Sequence, residues 1–266
     1  MRKITEKWLK KNGVSWSDYD VFKNWNLVNL YLDNVVEKLI ELKKFDMANW
    51  LFARSLTKAD RLKYAVNAAE LVLTLFEKEY PGDDRPRKAI HYTKMWIESI
   101  DNINKLKIKA CNAYNANTVE YYNDSSFIQT STDVRIARRS LGFHEENAFR
   151  AANLARNTAN DIYHKSVKDW TRCPEYFVAQ SCEYAAGNAP YSAVKSACKA
   201  VYNNASSWTT VPVPESIYAG KLAEKNAMEK ILQFGLELIR KKGQPPAAYR
   251  SGASCSFKIK NFLRRR

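Results

Sequence analysis

Apolar residues recur at three- and four-residue intervals along most of the chain, which is the spacing of one face of an α-helix. Glycine and proline are few and clustered, whereas short strands joined by turns would need them about every ten residues. We therefore predict an all-α protein. The expected helices are 4–12, Trp25 to about Lys44, Phe45 to Ser55, Thr57 to Glu79, Asp84 past Ile97, several alanine-rich helices after Ile103, and 215–242.

Local signals set the ends of these helices. Thr57 and Asp60 have the spacing of a capping box, with Asp in place of the usual Glu or Gln, and predict a helix start. Asp84 is the predicted N-cap of a later helix, because Pro86 then falls in the first turn, where its missing N–H costs nothing. Two segments are predicted to be non-helical: the aromatic-rich connection 15–24 and the extended linker 209–214.

Small residues dominate the second half of the chain and indicate closely packed helices. Alanine recurs at 148, 151, 152, 155 and 159, a spacing that lets helices approach each other. We predict a multi-helix bundle or stacked helical hairpins, without the fixed period that would define a solenoid. One helical domain is expected over 1–243, with 215–242 burying a stripe that includes Ile217 and Leu222, followed by a basic tail over 244–266.

The formal net charge of +15 lies mostly at the C-terminal end of the chain. The segment from Arg240 to Arg266 carries nine basic residues and no acidic one, which leaves the rest of the chain only mildly basic. A chain with this imbalance is attracted to an anionic partner such as nucleic acid, an acidic protein face or a membrane surface. No apolar run approaches the roughly 20 residues needed to span a bilayer, and the N-terminus lacks the features of a signal peptide, so we predict a cytoplasmic protein without membrane contact.

Known catalytic and metal-binding patterns are missing from the sequence. The five cysteines are widely spaced and form no C-x-x-C pair, and reduced, mostly buried thiols are the simplest interpretation. His144 and His164 are 20 residues apart, which places them on opposite sides of any helix that they share. No phosphate-binding loop, zinc motif or nucleophile elbow is present. We predict no metal, no cofactor and no enzymatic activity.

Several segments together resemble a known family. They are Asp46 to Leu51, Tyr64 to Leu73, Phe76 to Pro81, Asp83 to Ile90 and Ile231 to Leu238, in that order along the chain. The combination resembles the fifth class of immunity proteins of polymorphic toxin systems, over a core of about 45–240. Relatives occur in bacterial and phage genomes. The resemblance implies a helical protein, linked to a phage or mobile element, that neutralises or occupies a partner protein by direct binding.

The stretch Asp83-Asp-Arg-Pro-Arg-Lys88 is the most specific part of this resemblance. Acids at a helix N-terminus satisfy free N–H groups and complement the helix dipole, and the neighbouring arginines can pair back onto them. The same charges can instead contact a partner. The candidate partner-binding residues are Asp83, Asp84, Arg85, Arg87 and Lys88.

Arginine and lysine in two other regions suggest nucleic-acid binding as the alternative. Guanidinium groups grip two phosphate oxygens at once, and apolar and aromatic residues interleaved with the charges of the tail can stack on bases. The candidate nucleic-acid-binding residues are Arg135, Arg138, Arg139, Arg250, Lys258, Lys260, Arg264, Arg265 and Arg266. The sequence leaves two hypotheses open: occupation of an acidic protein partner, and binding of RNA or DNA.

Overall fold

A computed structural model describes residues 2–116, 125–165, 173–207 and 213–243. Ten helices and no strand make up these ranges, apart from one isolated bridge between Lys3 and Tyr31, and the prediction of an all-α fold is confirmed. The helices are α1 (Glu6–Lys11), α2 (Trp16–Asn24), α3 (Leu32–Glu41), α4 (Phe45–Ser55), α5 (Lys58–Glu79), α6 (Arg85–Ala116), α7 (Ser125–Lys165), α8 (Pro174–Ala186), α9 (Pro190–Ser207) and α10 (Val213–Gly243).

Helix α2 replaces the connection that was predicted for 15–24. Ser15 lies just before the helix, and its Oγ accepts a hydrogen bond from the Asp18 N–H at 3.1 Å. The same hydroxyl donates to Asp18 Oδ2 at 2.7 Å. The prediction was wrong because it gave more weight to the aromatic composition of the segment than to this N-cap.

Helix α3 begins at Leu32, not at Trp25 as the periodicity predicted. Asn26 and Asn29 both have positive φ angles, 52° and 68°, and interrupt the helix before it can start. Asparagine tolerates this left-handed conformation better than most residues do. The interrupted segment pairs with the N-terminus instead, since the Ile4 N–H donates to Leu30 O at 2.9 Å and the Leu32 N–H donates to Arg2 O at 3.0 Å.

Helix α5 lies at the centre of the fold, and α6, α8, α9 and α10 pack against it. Thr57 caps it as predicted: the Asp60 N–H donates to Thr57 Oγ1, which in turn donates to Asp60 Oδ2 at 2.6 Å. Half of its residues are buried, so this helix supplies one side of most of the core. The buried apolar residues of α5 are Ala59, Leu62, Tyr64, Ala65, Val66, Ala68, Ala69, Val72, Leu73 and Phe76.

Small side chains let the later helices approach each other closely. The alanines at 148, 151, 152, 155 and 159 are all buried, as predicted. On α10, a Cβ at Gly220 would lie 2.9 Å from the Tyr202 ring, and a Cβ at Gly235 would lie 2.8 Å from the Phe52 ring. Because glycine has no Cβ, these two positions let α10 lie close against α9 and α4, and a larger residue would force the facing ring to shift.

Two details of α10 differ from the prediction. Val213 and Pro214 belong to the helix, so the non-helical linker does not extend that far, while residues 208–212 lie outside the described ranges. Ile217 and Leu222 were expected to be buried, yet both are exposed, because the early turns of α10 bury Ser216 and Gly220 instead, with Gly220 against Tyr202 of α9. The division into a domain over 1–243 and a tail stays a prediction, and residues 244–266 are likewise outside the described ranges.

A buried polar chain links three helices near the centre. The Tyr64 hydroxyl of α5 donates to Asn49 Oδ1 of α4 at 3.3 Å, and Asn49 Nδ2 donates to the carbonyl oxygen of Tyr191 in α9 at 3.3 Å. The Tyr64 and Asn49 side chains are fully buried, so each must find its partner within the protein. Burial raises the pKa of Tyr64 well above its ordinary value, which keeps the hydroxyl available as a donor.

Helices α6 and α7 form a long antiparallel hairpin. The first residue of α6, Arg85, pairs with Asp161 near the end of α7, and the two helices remain in contact along much of their length. Helix α8 packs against this hairpin as well as against α5. The segment 83–88 and the arginines at 135–139, which were predicted to serve two different kinds of binding, therefore belong to the same hairpin. They lie toward opposite ends of it, about 39 Å apart along the axis of α7, because Arg85 pairs with Asp161, 26 residues beyond Arg135.

Candidate binding surfaces

The segment Asp83 to Lys88 forms the joint between α5 and α6. The backbone turns at Pro81-Gly82, where the Asp83 N–H donates to Tyr80 O at 3.1 Å, and α6 then begins at Arg85. Asp83 Oδ1 accepts the Arg85 backbone N–H at 3.1 Å. Asp84 occupies the N-cap position, as predicted, since its carbonyl oxygen accepts the Lys88 N–H at 2.8 Å. Its side chain pairs with Lys88 at 2.9 Å, one turn into the helix.

Arg85 ties this joint to α7. Its Nε and Nη2 donate to the two carboxylate oxygens of Asp83 at 2.9 and 2.7 Å, and Nη2 also lies 2.9 Å from Asp161 Oδ2. The forked guanidinium suits two carboxylates at once. The hydrogen bond that Arg85 donates to Asp83 is the largest cause of the raised pKa of Arg85, with Asp161 contributing in the same direction.

The other charges of the joint are also paired within the chain. Arg87 donates to both carboxylate oxygens of Glu77 on α5, each at 2.6 Å, and Lys88 pairs with Asp84. The structure thus brings all five predicted partner-binding residues together and confirms the interpretation of local capping and ion pairs. Their contact with a partner stays a prediction.

Arg85→Ala is expected to lower the free energy of unfolding by about 1.5–3 kcal/mol, the usual range for hydrogen bonds to charged groups. The substitution leaves Asp83 and Asp161 without their shared cation and loosens α6 from α7. Urea denaturation followed by circular dichroism measures the loss. Arg139→Ala, at an exposed position on α7, is the matched control and should change stability by less than about 0.5 kcal/mol; an equal effect of both substitutions would contradict the structural role of Arg85.

The predicted arginines of the second region lie on the first half of α7, and all three are exposed. None of the ion pairs among the described residues involves Arg135, Arg138 or Arg139. Further along the same helix the arginines are paired, Arg150 with Glu146 at 2.6 Å and Arg156 with Glu183 at 2.6 Å. The other predicted nucleic-acid-binding residues, from Arg250 to Arg266, lie outside the described ranges.

Large apolar side chains share this surface with the arginines. Ile136 is 59% exposed, Phe143 is 61% exposed and Phe149 is 62% exposed. None of these three residues was predicted as a binding residue, although all of them fall off the buried stripe that Val134, Ala137 and Ala148 define. We call the surface formed by Arg135, Ile136, Arg138, Arg139, Phe143 and Phe149 the α7 face.

Among the side chains that the structure describes, no three His, Cys, Asp or Glu residues lie close enough together to hold a metal ion. A cavity of about 300 Å³ lies between α5, α6 and α10, but its lysines are engaged, Lys94 with Glu70 at 2.5 Å and Lys63 with Asp101 at 2.7 Å. None of the described helices is both long and apolar enough to cross a membrane.

The fold is that of an all-α protein built from packed pairs of helices. The charged residues at the joint between α5 and α6 form ion pairs with one another or with other residues of the chain. Residues 53–120 match the family described as Imm-5 like putative immunity protein, which confirms the resemblance for this segment. The match takes in α5, the joint at 83–88 and α6, about a quarter of the chain, while the α7 face lies beyond it. It supports an immunity-like binding role. Comparison with curated proteins and with solved structures gives no match.

Proposed function

We propose that this protein neutralises or occupies a partner protein by direct binding, as an immunity protein does, and that it does not catalyse a reaction. The family match over 53–120 is the observation that carries the proposal. The net charge of +15 and the exposed arginines of α7 favour a partner with an acidic surface. A role on behalf of a phage or another mobile element in the cytoplasm of its host is part of the same proposal.

Nucleic-acid binding is the second candidate, and the α7 face is the observation that favours it. Arg138 and Phe149 are 11 residues apart, so they lie within about 20° of each other around the helix axis. Such a pair can neutralise a phosphate and stack on a base. Three arginines alone give only a modest electrostatic contribution, with a log–log salt slope of about −2 to −3, so tight binding would also need the predicted tail.

Capture of the full-length tagged chain from the cells that carry its gene separates the two candidates. The lysate is treated with nuclease, the retained protein is identified and purified, and the complex is rebuilt from the two purified proteins. The proposal expects a stoichiometric complex by size-exclusion chromatography with light scattering, unchanged when residues 244–266 are deleted. Retention of nucleic acid alone, lost with that deletion and without any reconstituted protein complex, would overturn it.

A further inference from the structure

We infer that the α7 face is the docking surface for a helical segment of the partner protein that presents an apolar ridge flanked by carboxylates. This inference rests on the proposed function and specifies where and how the partner is bound. The α7 face lies outside the segment that matches the immunity-like family, so the inference comes from the structure of this chain alone.

Three exposed apolar residues of α7 form a ridge on the side of the helix that faces away from the core: Ile136, Phe143 and Leu154. Phe149 lies about 120° from Phe143 around the helix axis and outside this ridge. Ile136 and Phe143 are seven residues apart and therefore lie within about 20° of each other around the helix axis. Leu154, which is 41% exposed, continues the same line to a length of about 27 Å. Large exposed apolar groups in a row are uncommon on a surface that meets only water and mark an interaction site.

Two arginines, Arg135 and Arg139, lie beside the N-terminal end of this apolar ridge. Arg139 lies about 40° from Phe143 around the helix, and Arg135 lies about 80° from it on the same side. A guanidinium binds a carboxylate through two parallel hydrogen bonds, and exposed aromatic residues beside arginine are the usual composition of an interface centre. The partner that fits has an apolar stripe with acidic residues on its border.

Two other occupants fit this surface less well. A second copy of the chain would bring the same three arginines against each other across a twofold axis, and like charges in that position are repulsive. Nucleic acid gains nothing by stacking on Ile136 and Leu154, because an aliphatic side chain offers no aromatic face to a base. An acidic helix satisfies both the charges and the ridge.

Synthetic peptides test the inference even before the partner is identified. The probe is a fluorescent helical peptide with leucine at every third and fourth position and glutamate on either side, and its binding to the full-length protein is followed by anisotropy. A peptide of the same composition in scrambled order keeps the charge and removes the stripe. A ten-nucleotide uridine RNA is the probe for the alternative occupant.

The triple variant R135E/R138E/R139E is expected to weaken binding of the striped peptide at least tenfold, and Phe143→Ser at least fivefold. The control K7E/K11E/K23E changes the net charge by the same amount at exposed positions on α1 and α2 and should weaken binding less than twofold. All these positions are exposed, so circular dichroism should show unchanged folding. Equal weakening by both triple variants, equal affinity for the scrambled peptide, or tighter binding of the RNA at this face would overturn the inference.

Failure of this inference is distinguishable from failure of the proposed function. If the partner recovered from cells forms a stoichiometric complex equally well with the wild type and with R135E/R138E/R139E, the docking surface lies elsewhere and the proposed function stands. If no partner protein forms a complex at all, the proposed function fails first.

Discussion

Phe52→Ala is expected to lower the free energy of unfolding by about 3–5 kcal/mol, the range for removing a buried aromatic ring. Phe52 is fully buried, its ring centre lies 5.2 Å from that of Tyr64 on α5, and its edge reaches α10 at Gly235. Its removal therefore empties the place where α4, α5 and α10 meet. Urea denaturation at neutral pH measures the loss.

A double-mutant cycle with Gly235 shows whether that contact is as close as the structure has it. In the wild type, Gly235→Ala sets a methyl group 2.8 Å from the ring, and overpacking of this kind costs about 1–3 kcal/mol. In the Phe52→Ala background the ring is absent. Gly235→Ala should then raise the free energy of unfolding by up to about 1 kcal/mol, because alanine has a higher helix propensity than glycine. Gly142→Ala is the control: nothing lies within 4 Å of the new methyl group, so it should stabilise in both backgrounds.

The sign of the coupling decides the outcome. We expect Gly235→Ala to be less favourable than Gly142→Ala in the wild type and equal to it in the Phe52→Ala background. Additive effects of Phe52→Ala and Gly235→Ala would contradict the close packing of α10 on α4.

Raising the pH from 9 to 11 is expected to lower the free energy of unfolding by about 2–3 kcal/mol for each of two buried thiols. Each thiol can contribute a loss of up to about 1.4 kcal/mol per pH unit. Burial raises the pKa of Cys198 to about 12, and burial raises the pKa of Cys182 beyond the ordinary range, with smaller contributions from Glu77 and Glu70. Above pH 9 the unfolded chain releases these protons while the folded protein retains them. The stabilising contribution of the protonated thiols is therefore fully present below pH 9, and it is lost as the pH rises towards 12.

The variant C182A/C198A isolates this effect from the titration of lysine and tyrosine. Urea denaturation of the wild type and of the variant at pH 8, 9, 10 and 11 should give two curves that run in parallel up to pH 9 and then diverge, with the wild type falling more steeply. Parallel curves up to pH 11 would show that the two thiols are accessible to water in the folded protein, contrary to their burial.

The helices with strong local signals could be predicted from the sequence, and those that depend on distant contacts could not. Thr57 and Asp60 lie three residues apart at the start of α5, so their spacing alone predicted where it begins. The start of α3 is different, because Asn26 and Asn29 take left-handed conformations in a segment that hydrogen-bonds to residues near the N-terminus. Apolar spacing continues through that segment and gives no sign of the interruption.

The candidate surfaces show the same limit. The sequence predicted that the charges of 83–88 would pair locally, but Asp161, which shares the Arg85 guanidinium, is 76 residues further along the chain and becomes a neighbour only when α7 folds back along α6. On α7, exposure of Ile136 and Phe149 depends on which side of the helix meets α6 and α8. A finer assignment of the buried stripe, anchored on Val134, Ala137 and Ala148, would have found them.

A stoichiometric titration tests the central claim most directly. The partner protein recovered from cells is held at a fixed concentration, well above its dissociation constant, and its own activity is measured as this protein is added. A binding protein must inhibit in proportion and reach full inhibition at one molar equivalent, with no further change over time. Progressive inactivation of the partner by a small fraction of an equivalent would show turnover, and would contradict a function based on occupation.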